Sequence, residues 1–263
     1  MTTGTYRPTY HVLYRASVNK QNEVTAIHIR SGGIPESSLY ANRFPAGTIK
    51  NFLAESWSVT SNITTGAWTA PTSNFTAGAE QSFIDEVAEA AAKDPIEFRL
   101  ELFKKARNNP VGKKYDYDAD RYAGVLKLVK EKSGWGTHAS TVHKGVAAYF
   151  CHSTYVAVVM EVILKNNQPN LKKVWCAVDC GIVINKEGAT NMIEGRIIDG
   201  IGHAMYSELK FENGSSVHKN FDTYNFIRHN DSPSEIEVFF VENEIAPTGL
   251  SLIHISEPTR RTP

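Results

Sequence analysis

Two groups of residues in this chain carry the most chemical potential. The first is a row of glycines. Gly188, Gly195 and Gly202 recur every seven residues through KEGATNMIEGRIIDGIGHAM, residues 186–205, where Ile193, Ile197, Ile198, Ile201 and Met205 keep helical spacing. Seven residues are nearly two helical turns, so the glycines share one side of the predicted helix. Each glycine inside a helix costs about 1 kcal/mol relative to alanine. Two gains could offset that cost: close packing of backbones, or approach of backbone amides to a bulky polar ligand, most favourable where a helix N-terminus meets an anion. Spacing alone leans to packing and leaves ligand approach open. Asn185, just ahead of the helix, is a candidate cap.

The second group centres on His152, which stands beside the thiol of Cys151 and the hydroxyls of Ser153 and Thr154. That setting suits a metal ligand or the support of a nucleophile. No acid or second histidine stands at the spacing of a HExxH site, and Ser153 lacks the strand–turn–helix frame of a nucleophile elbow, so hydrolase chemistry fits poorly. Cys176, Cys180 and His152 form a candidate zinc set, but three residues separate the cysteines where zinc knuckles usually have two, and no second pair follows. Buried thiols acting as small hydrophobes are the simpler reading. Asp85–Glu86 and Glu235/Glu237 read as solvated charge.

The elements that must position these groups follow from periodicity. Residues 9–31 alternate apolar and polar about NKQNE, a hairpin pattern, and Gly32, Gly33 and Pro35 end it. Irregular structure with short strands is expected from there to Asn74, VTSNITTGAW among them. Three amphipathic helices come next: AEQSFIDEVAEAAAK, then PIEFRLELFKKA with Asp94 as cap and Glu97 placed to complete a capping box, then ADRYAGVLKLVKEK ending at Ser133–Gly134. The strands GVAAYF, TYVAVVMEVIL and KKVWCAVDC follow, with a turn at 166–170 between the last two. After the glycine-striped helix come a hairpin turning at Asn213–Gly214 and a last strand, EIEVFFVE. This order predicts an α+β fold with helices packed on mixed sheets.

Composition excludes some classes. The chain has 263 residues, 41% of them hydrophobic, with 28 basic and 28 acidic side chains. Zero formal net charge and the lack of a basic run interleaved with aromatics argue against a nucleic-acid partner. The longest uncharged stretch, Gly145–Met160, is shorter than the roughly 20 residues that span a bilayer. No export signal is visible at the start.

Three stretches then resemble one family: GAWTAPTSNFTAGAEQSFIDEVAEAAAKDPIEFRLELF (66–103), YFCHSTYVAVVMEV (149–162) and AVDCGIVINKEGATNMIEGRIIDGIGHAMYSELKFENG (177–214). They are similar to the molybdenum-binding large subunit of the xanthine dehydrogenase/aldehyde oxidase family, in particular its isoquinoline 1-oxidoreductase beta-subunit-like branch. The resemblance covers residues 6–250 in order. It implies that residues 1–250 are the later part of such a subunit, truncated at both ends, and belong to its molybdopterin-binding domains. It answers the glycine question in favour of ligand approach, with the helix lying against molybdopterin, in its cytosine dinucleotide form. The cofactor-binding residues it implies are Trp68, Thr69, Ala70, Pro71, His152, Ser153, Thr154, Asn185, Gly188, Met192, Gly195 and Gly202. The implied reaction is oxidative hydroxylation of an aldehyde or aromatic N-heterocycle, with oxygen from water and a glutamate as base. Three cysteines cannot supply a four-thiolate cluster, so the implied partner is a small [2Fe–2S] subunit, with a cytochrome or quinone beyond it. Exported relatives suggest the periplasm.

The chain departs from the family pattern at four places. Thr69 replaces the arginine of W-R-A-P, Lys186 a proline, Met192 a glutamine and Arg196 a glycine. The family continues from A-P-T-G-L into G-E-P, whose glutamate is the base, whereas Leu250 is followed here by SLIHISEPTRRTP. Residues 251–263 resemble a translated sequencing adaptor and are expected to be a non-native tail, which makes Glu257 a fortuitous match. No catalytic residue or metal ligand is therefore assigned, and turnover by this chain alone is not expected. Two other classes stay open at this stage: a non-catalytic α+β binding or scaffold module, and the zinc protein.

Overall fold

The computed structural model describes residues 5–34, 39, 42–66, 74–109, 117–137 and 142–249. Trp68, Thr69, Ala70 and Pro71 lie outside these residues, as do Leu250, Glu257 and the rest of the expected tail.

Nine strands and four α-helices are described. Strands β1 (Thr9–Val18) and β2 (Val24–Ile34) form the expected antiparallel hairpin, and β3 (Asn51–Ser58) adds to β2 in parallel. β2 continues through Gly32 and Gly33 instead of ending before them. There the Trp57 indole lies where a side chain on residue 32 would go, 2.2 Å from the Cβ position. β3 is one of the short strands expected in this stretch but precedes VTSNITTGAW, whose described residues contribute a bridge between Thr65 and Tyr6. NFLAESWS escapes a period-two reading because Leu53 and Trp57 sit on the exposed face while Phe52 and Ala54 face inward.

Helices α1 (Asn74–Ala90), α2 (Pro95–Arg107) and α3 (Ala119–Lys132) follow. Asp94 caps α2 as expected, its carboxylate accepting from the Ile96 and Glu97 amides. Glu97 does not reach back to complete a box; its carboxylate pairs with Lys130 of α3. Tyr122, Val125, Leu126 and Val129 are all fully buried, the inward face read from spacing. Asp85 is not merely solvated. Its Oδ1 accepts from the Nη1 of Arg99, a guanidinium only 1% exposed that also bonds the Gln81 side chain and carbonyl and the Pro95 carbonyl. A buried cation is tolerated when its donors are matched in this way.

The second sheet has the order β4 (His143–Cys151), β5 (Thr154–Lys165), β6 (Gln168–Asp179), β9 (Glu235–Phe240), antiparallel except for the parallel β6–β9 pair. The β5–β6 turn is tighter than expected: only Asn166 and Asn167, both at positive φ, make it, and Gln168 already pairs with Lys165. Between β6 and β9 come α4 (Lys186–Met205) and the ribbon β7 (Phe211–Glu212) and β8 (Ser215–Ser216), which turns at Asn213–Gly214 as predicted. Glu235 and Glu237 bracket Lys173 on the neighbouring strand.

One core joins α1–α3 to the inner face of the first sheet and to one face of the second through Ile27, Ile84, Leu102, Tyr122, Val159 and Trp175. A second core lies on the opposite face of the second sheet, where Val174, Cys176 and Val178 meet Ile193, Ile197 and Ile201 of α4. The result is the expected α+β arrangement of helices on mixed sheets. No described helix is long and apolar enough to cross a membrane.

Inside the first core lies Glu80 of α1. Burial pushes its carboxyl up to about 7, against the opposing pull of Arg43, Gln81 and Arg99. Arg43 donates to the Phe150 carbonyl at 2.6 Å and packs over the Phe150 and Tyr149 rings. A carboxyl whose folded pKa is raised contributes stability that is complete below its unfolded value of about 4.3 and is lost as pH rises through the folded value. We therefore expect Tm to fall between pH 5 and pH 8, and Glu80→Gln to flatten that slope when Tm is measured across the range. An unchanged slope in the variant would assign the pH dependence elsewhere.

Candidate cofactor-binding site

The site is built where β6 runs out into α4. Asn185 has extended backbone, and its side chain accepts the Gly188 amide at 2.9 Å, the N-cap geometry expected from its type. In any helix the first N–H groups lack intrahelical acceptors, so those of Lys186 and Glu187 are available at this end. A Cβ on Gly188 would lie 3.1 Å from Asn185 Nδ2, so glycine lets the cap side chain fold over the first turn.

The other two glycines of the row have different neighbours. Nothing lies within 4 Å of the Cβ position of Gly195, which is exposed, as is Gly200 on another side of the helix. Gly202 is buried, and a Cβ there would lie 2.9 Å from Ile227 Cγ2. One stripe thus serves as a cap, a bare face and a packing seam in turn. Of the two explanations spacing left open, packing applies at Gly202, where the nearest neighbour is Ile227.

A cavity of about 760 Å³ opens beside the N-terminal half of α4. One wall is the strand exit, including Cys180, Ile182 and Asn185; the helix contributes Gly188, Asn191 and Met192; the far wall is Pro247, Thr248 and Gly249. That far wall is tied down by backbone bonds from the Ile182 amide to the Ile245 carbonyl, 3.0 Å, and from the Thr248 amide to the Cys180 carbonyl, 2.9 Å. Gly181 is required between them. Its φ is +72°, and a Cβ would stand 2.4 Å from the Ala246 carbonyl oxygen.

A second cavity, about 530 Å³, lies between α4 and β5. α4 leaves Val156, Val158 and Met160 only half-buried, and these apolar side chains form its floor. Arg196 lines this second space and bonds Asp199 at 3.3 Å. Its bulk does not line the first cavity, as its place in the sequence motif had suggested. Gly249 borders both cavities.

Of the residues assigned from sequence, Asn185, Gly188 and Met192 line the first cavity together. His152 and Ser153 form the two-residue β4–β5 turn with φ of 51° and 63°, the left-handed pair that such hairpins need. His152 adjoins Gly249, since a Cβ there would lie 3.3 Å from its Cβ, and Thr154 donates to the Gly249 carbonyl at 2.7 Å. These turn residues therefore brace the far wall. Gly195 and Gly202 do not line either cavity. Residues missed from sequence are Asn191, Thr248 and Gly249, together with Arg121, Asp179 and Asn243 behind the wall. Only the run Asp179–Cys180–Gly181 after an apolar strand offered a signal for any of them.

The zinc set does not assemble. Among the described residues no three His, Cys, Asp or Glu side chains are grouped to hold a metal ion. Cys176 and Cys180 are buried in the core under α4.

Comparison with known proteins places this geometry in context. Residues 60–233 match the family profile described as the molybdopterin cofactor-binding domain. The chain is 30% identical over 179 residues to isoquinoline 1-oxidoreductase subunit beta of Brevundimonas diminuta, covering 66% of this chain and 21% of that protein. It is 28% identical over 187 residues to the membrane-bound aldehyde dehydrogenase [pyrroloquinoline-quinone] of Gluconacetobacter polyoxogenes, covering 67% and 24% respectively. The chain therefore spans less than a quarter of each relative. Its fold is similar to that of quinoline 2-oxidoreductase from Pseudomonas putida 86, with a TM-score of 0.73 at 12% identity over 97% of this chain and 58% of that one.

The three thiols differ in reactivity. Burial pushes Cys176 up to about 12 and raises Cys180 as well, whereas Cys151 is half-buried with its Sγ 2.7 Å from His152 Nδ1. Because the thiolate is the reactive form, iodoacetamide at neutral pH is expected to alkylate Cys151 first and to reach the fully buried Cys176 only on unfolding. Peptide mass spectrometry of the native, alkylated protein checks this, and labelling of Cys176 ahead of Cys151 would contradict it.

Proposed function

The chain belongs to the molybdopterin cofactor-binding domain family, and from that premise we propose that the cavity beside α4 is part of the cofactor site of an oxidoreductase acting on aldehydes or aromatic N-heterocycles. The observation that carries the proposal is the conjunction of a large cavity with a capped helix N-terminus and the Gly188 backbone at its edge. The lining suits a large anionic pterin nucleotide. Amides at the start of α4 offer N–H donors to phosphate, Asn191 and Thr248 add side-chain donors, and Gly188 keeps bulk away. Lys186 keeps a backbone N–H at the start of α4 that a proline at that position would lack. Met192 contributes apolar contact in place of an amide.

Bound molybdopterin would supply the redox and oxygen-transfer chemistry, with water as the oxygen source. The residues described here bind and orient. Asn185 sets the start of the helix, Thr248 and Gly249 form the opposing wall, and Thr154 holds that wall to β5. None of them is assigned as the general base, so ligand retention rather than turnover is the property to test in this chain.

The relatives' names support the substrate class, since they refer to isoquinoline, aldehyde and quinoline. One of them is named as a beta subunit, which supports a multi-subunit assembly. Two of the three cysteines are buried in the sheet core, which leaves too few thiolates for an iron–sulfur cluster. The proposed electron path therefore runs to a small [2Fe–2S] subunit and on to a cytochrome or quinone. The cytosine dinucleotide form of the cofactor belongs to the same proposal.

Paired glycine variants test the site. Gly195→Ala and Gly200→Ala each place a methyl group in open space, so each should stabilise the helix by roughly 0.5–1 kcal/mol. In protein produced in cells that synthesise molybdopterin, Gly188→Ala should lower the pterin content, read by fluorescence after oxidative release, while Gly195→Ala, at a residue that lines neither cavity, should not. Equal pterin content in wild type and Gly188→Ala would remove the first turn of α4 from the binding site.

A further inference from the structure

Loop 243–249 forms the far wall of the cavity, yet Glu244, Ile245, Ala246 and Pro247 are exposed. Apolar burial cannot hold such a segment in place, so its polar anchors must. They converge on one carboxylate. Asp179, 2% exposed at the end of β6, accepts from Arg121 Nε at 2.9 Å and Nη2 at 2.7 Å, from Asn243 Nδ2 at 2.8 Å and from the Gly181 amide at 3.3 Å. Asn243 then uses its own Oδ1 to accept the Ile245 amide at 3.0 Å. The carboxylate is thus bonded to α3, to the strand exit and to the loop.

Neither Arg121 nor Asp179 lines the cavity. Arg121 approaches from the first turn of α3, on the sheet face opposite α4, and its guanidinium lies 4.8 Å from the Tyr155 ring. The Tyr155 hydroxyl in turn accepts the Asp118 amide at the cap of that helix. Burial alone would raise the Asp179 carboxyl; the bonds from Arg121, Asn243 and Gly181 outweigh it and hold it below the usual carboxylate range.

We infer that Arg121, Asp179 and Asn243 are positioning residues, a latch that fixes loop 243–249 against the strand exit and so sets the spacing of the cavity walls. The inference rests on the cofactor reading above only in its consequence for the ligand. With the latch closed, the Ile245 carbonyl is set to receive the Ile182 amide and the Cys180 carbonyl to receive the Thr248 amide. Gly181 allows this contact because it has no side chain to meet the Ala246 and Ile245 carbonyls. Without Asn243, the loop keeps its covalent ends and the Thr154 brace but loses its link to the buried carboxylate.

Asn243→Ala is the informative variant, because it leaves the Arg121–Asp179 pair whole; Arg121→Met would strand a buried charge and endanger folding. Hydrogen–deuterium exchange on the full chain should show the amides of Ile182, Ile245 and Thr248 exchanging faster by roughly tenfold, while those of Val159 and Val174 stay unchanged. Pterin content should fall together with this local loosening at an unchanged Tm. Gly181→Ala, which forces the same walls apart through a different atom, should reproduce the pattern. Unchanged exchange at the three amides overturns the latch. Faster exchange with full pterin retention overturns its positioning role. Faster exchange in a protein whose wild type carries no pterin leaves the latch standing and refutes the cofactor reading instead.

Discussion

The second half of strand β6, Val174–Asp179, is covered on both faces, and the rest of the molecule is arranged around that constraint. Trp175 and Ala177 point into the core shared with α1–α3, while Val174, Cys176 and Val178 point into the core under α4. A strand buried on both sides must be apolar throughout and must find hydrogen-bond partners on both edges, which β5 and β9 supply. Beyond Lys173, the next charged residue is the last of the strand. Asp179 stands there, fully paired, and the chain then leaves the sheet through Gly181 into the cavity wall. The chemistry of the site begins at the point where the burial requirement ends.

What could be read from the residues was what depends on neighbours in sequence. The Asp94 and Asn185 caps, the inward faces of α3 and α4 and the Asn213–Gly214 turn are set by local stereochemistry, and they stand where expected. What escaped depends on distant partners. β3 shows no clean alternation because its exposed face carries Leu53 and Trp57, and only its pairing with β2 makes it a strand. Asp85 read as wet because its partner, Arg99, belongs to the next helix. The Arg121–Asp179 pair joins residues 58 apart in the chain, and no periodicity links them.

The glycine row shows how far spacing can go. Sequence placed three glycines on one side of one helix and left packing and ligand approach open between them. What a missing side chain means depends on what stands opposite, and along α4 this changes from the Asn185 cap to open space to Ile227. Only the cap end borders the cavity. The family relationship supplies the identity of a ligand for such a cavity, and the structure supplies the donors and the room.

The parallel pairing of β6 with β9 also bears on the order in which the molecule is assembled. β4, β5 and β6 are joined by tight turns and can zip together early, whereas β9 docks only after the chain has passed through α4 and the β7–β8 ribbon. Contacts that close long loops form late. The segment that follows β9 therefore reaches its seat against the strand exit only after the other side is in place. The cavity wall made by Pro247, Thr248 and Gly249 is thus the last side of that space to be completed as the chain folds.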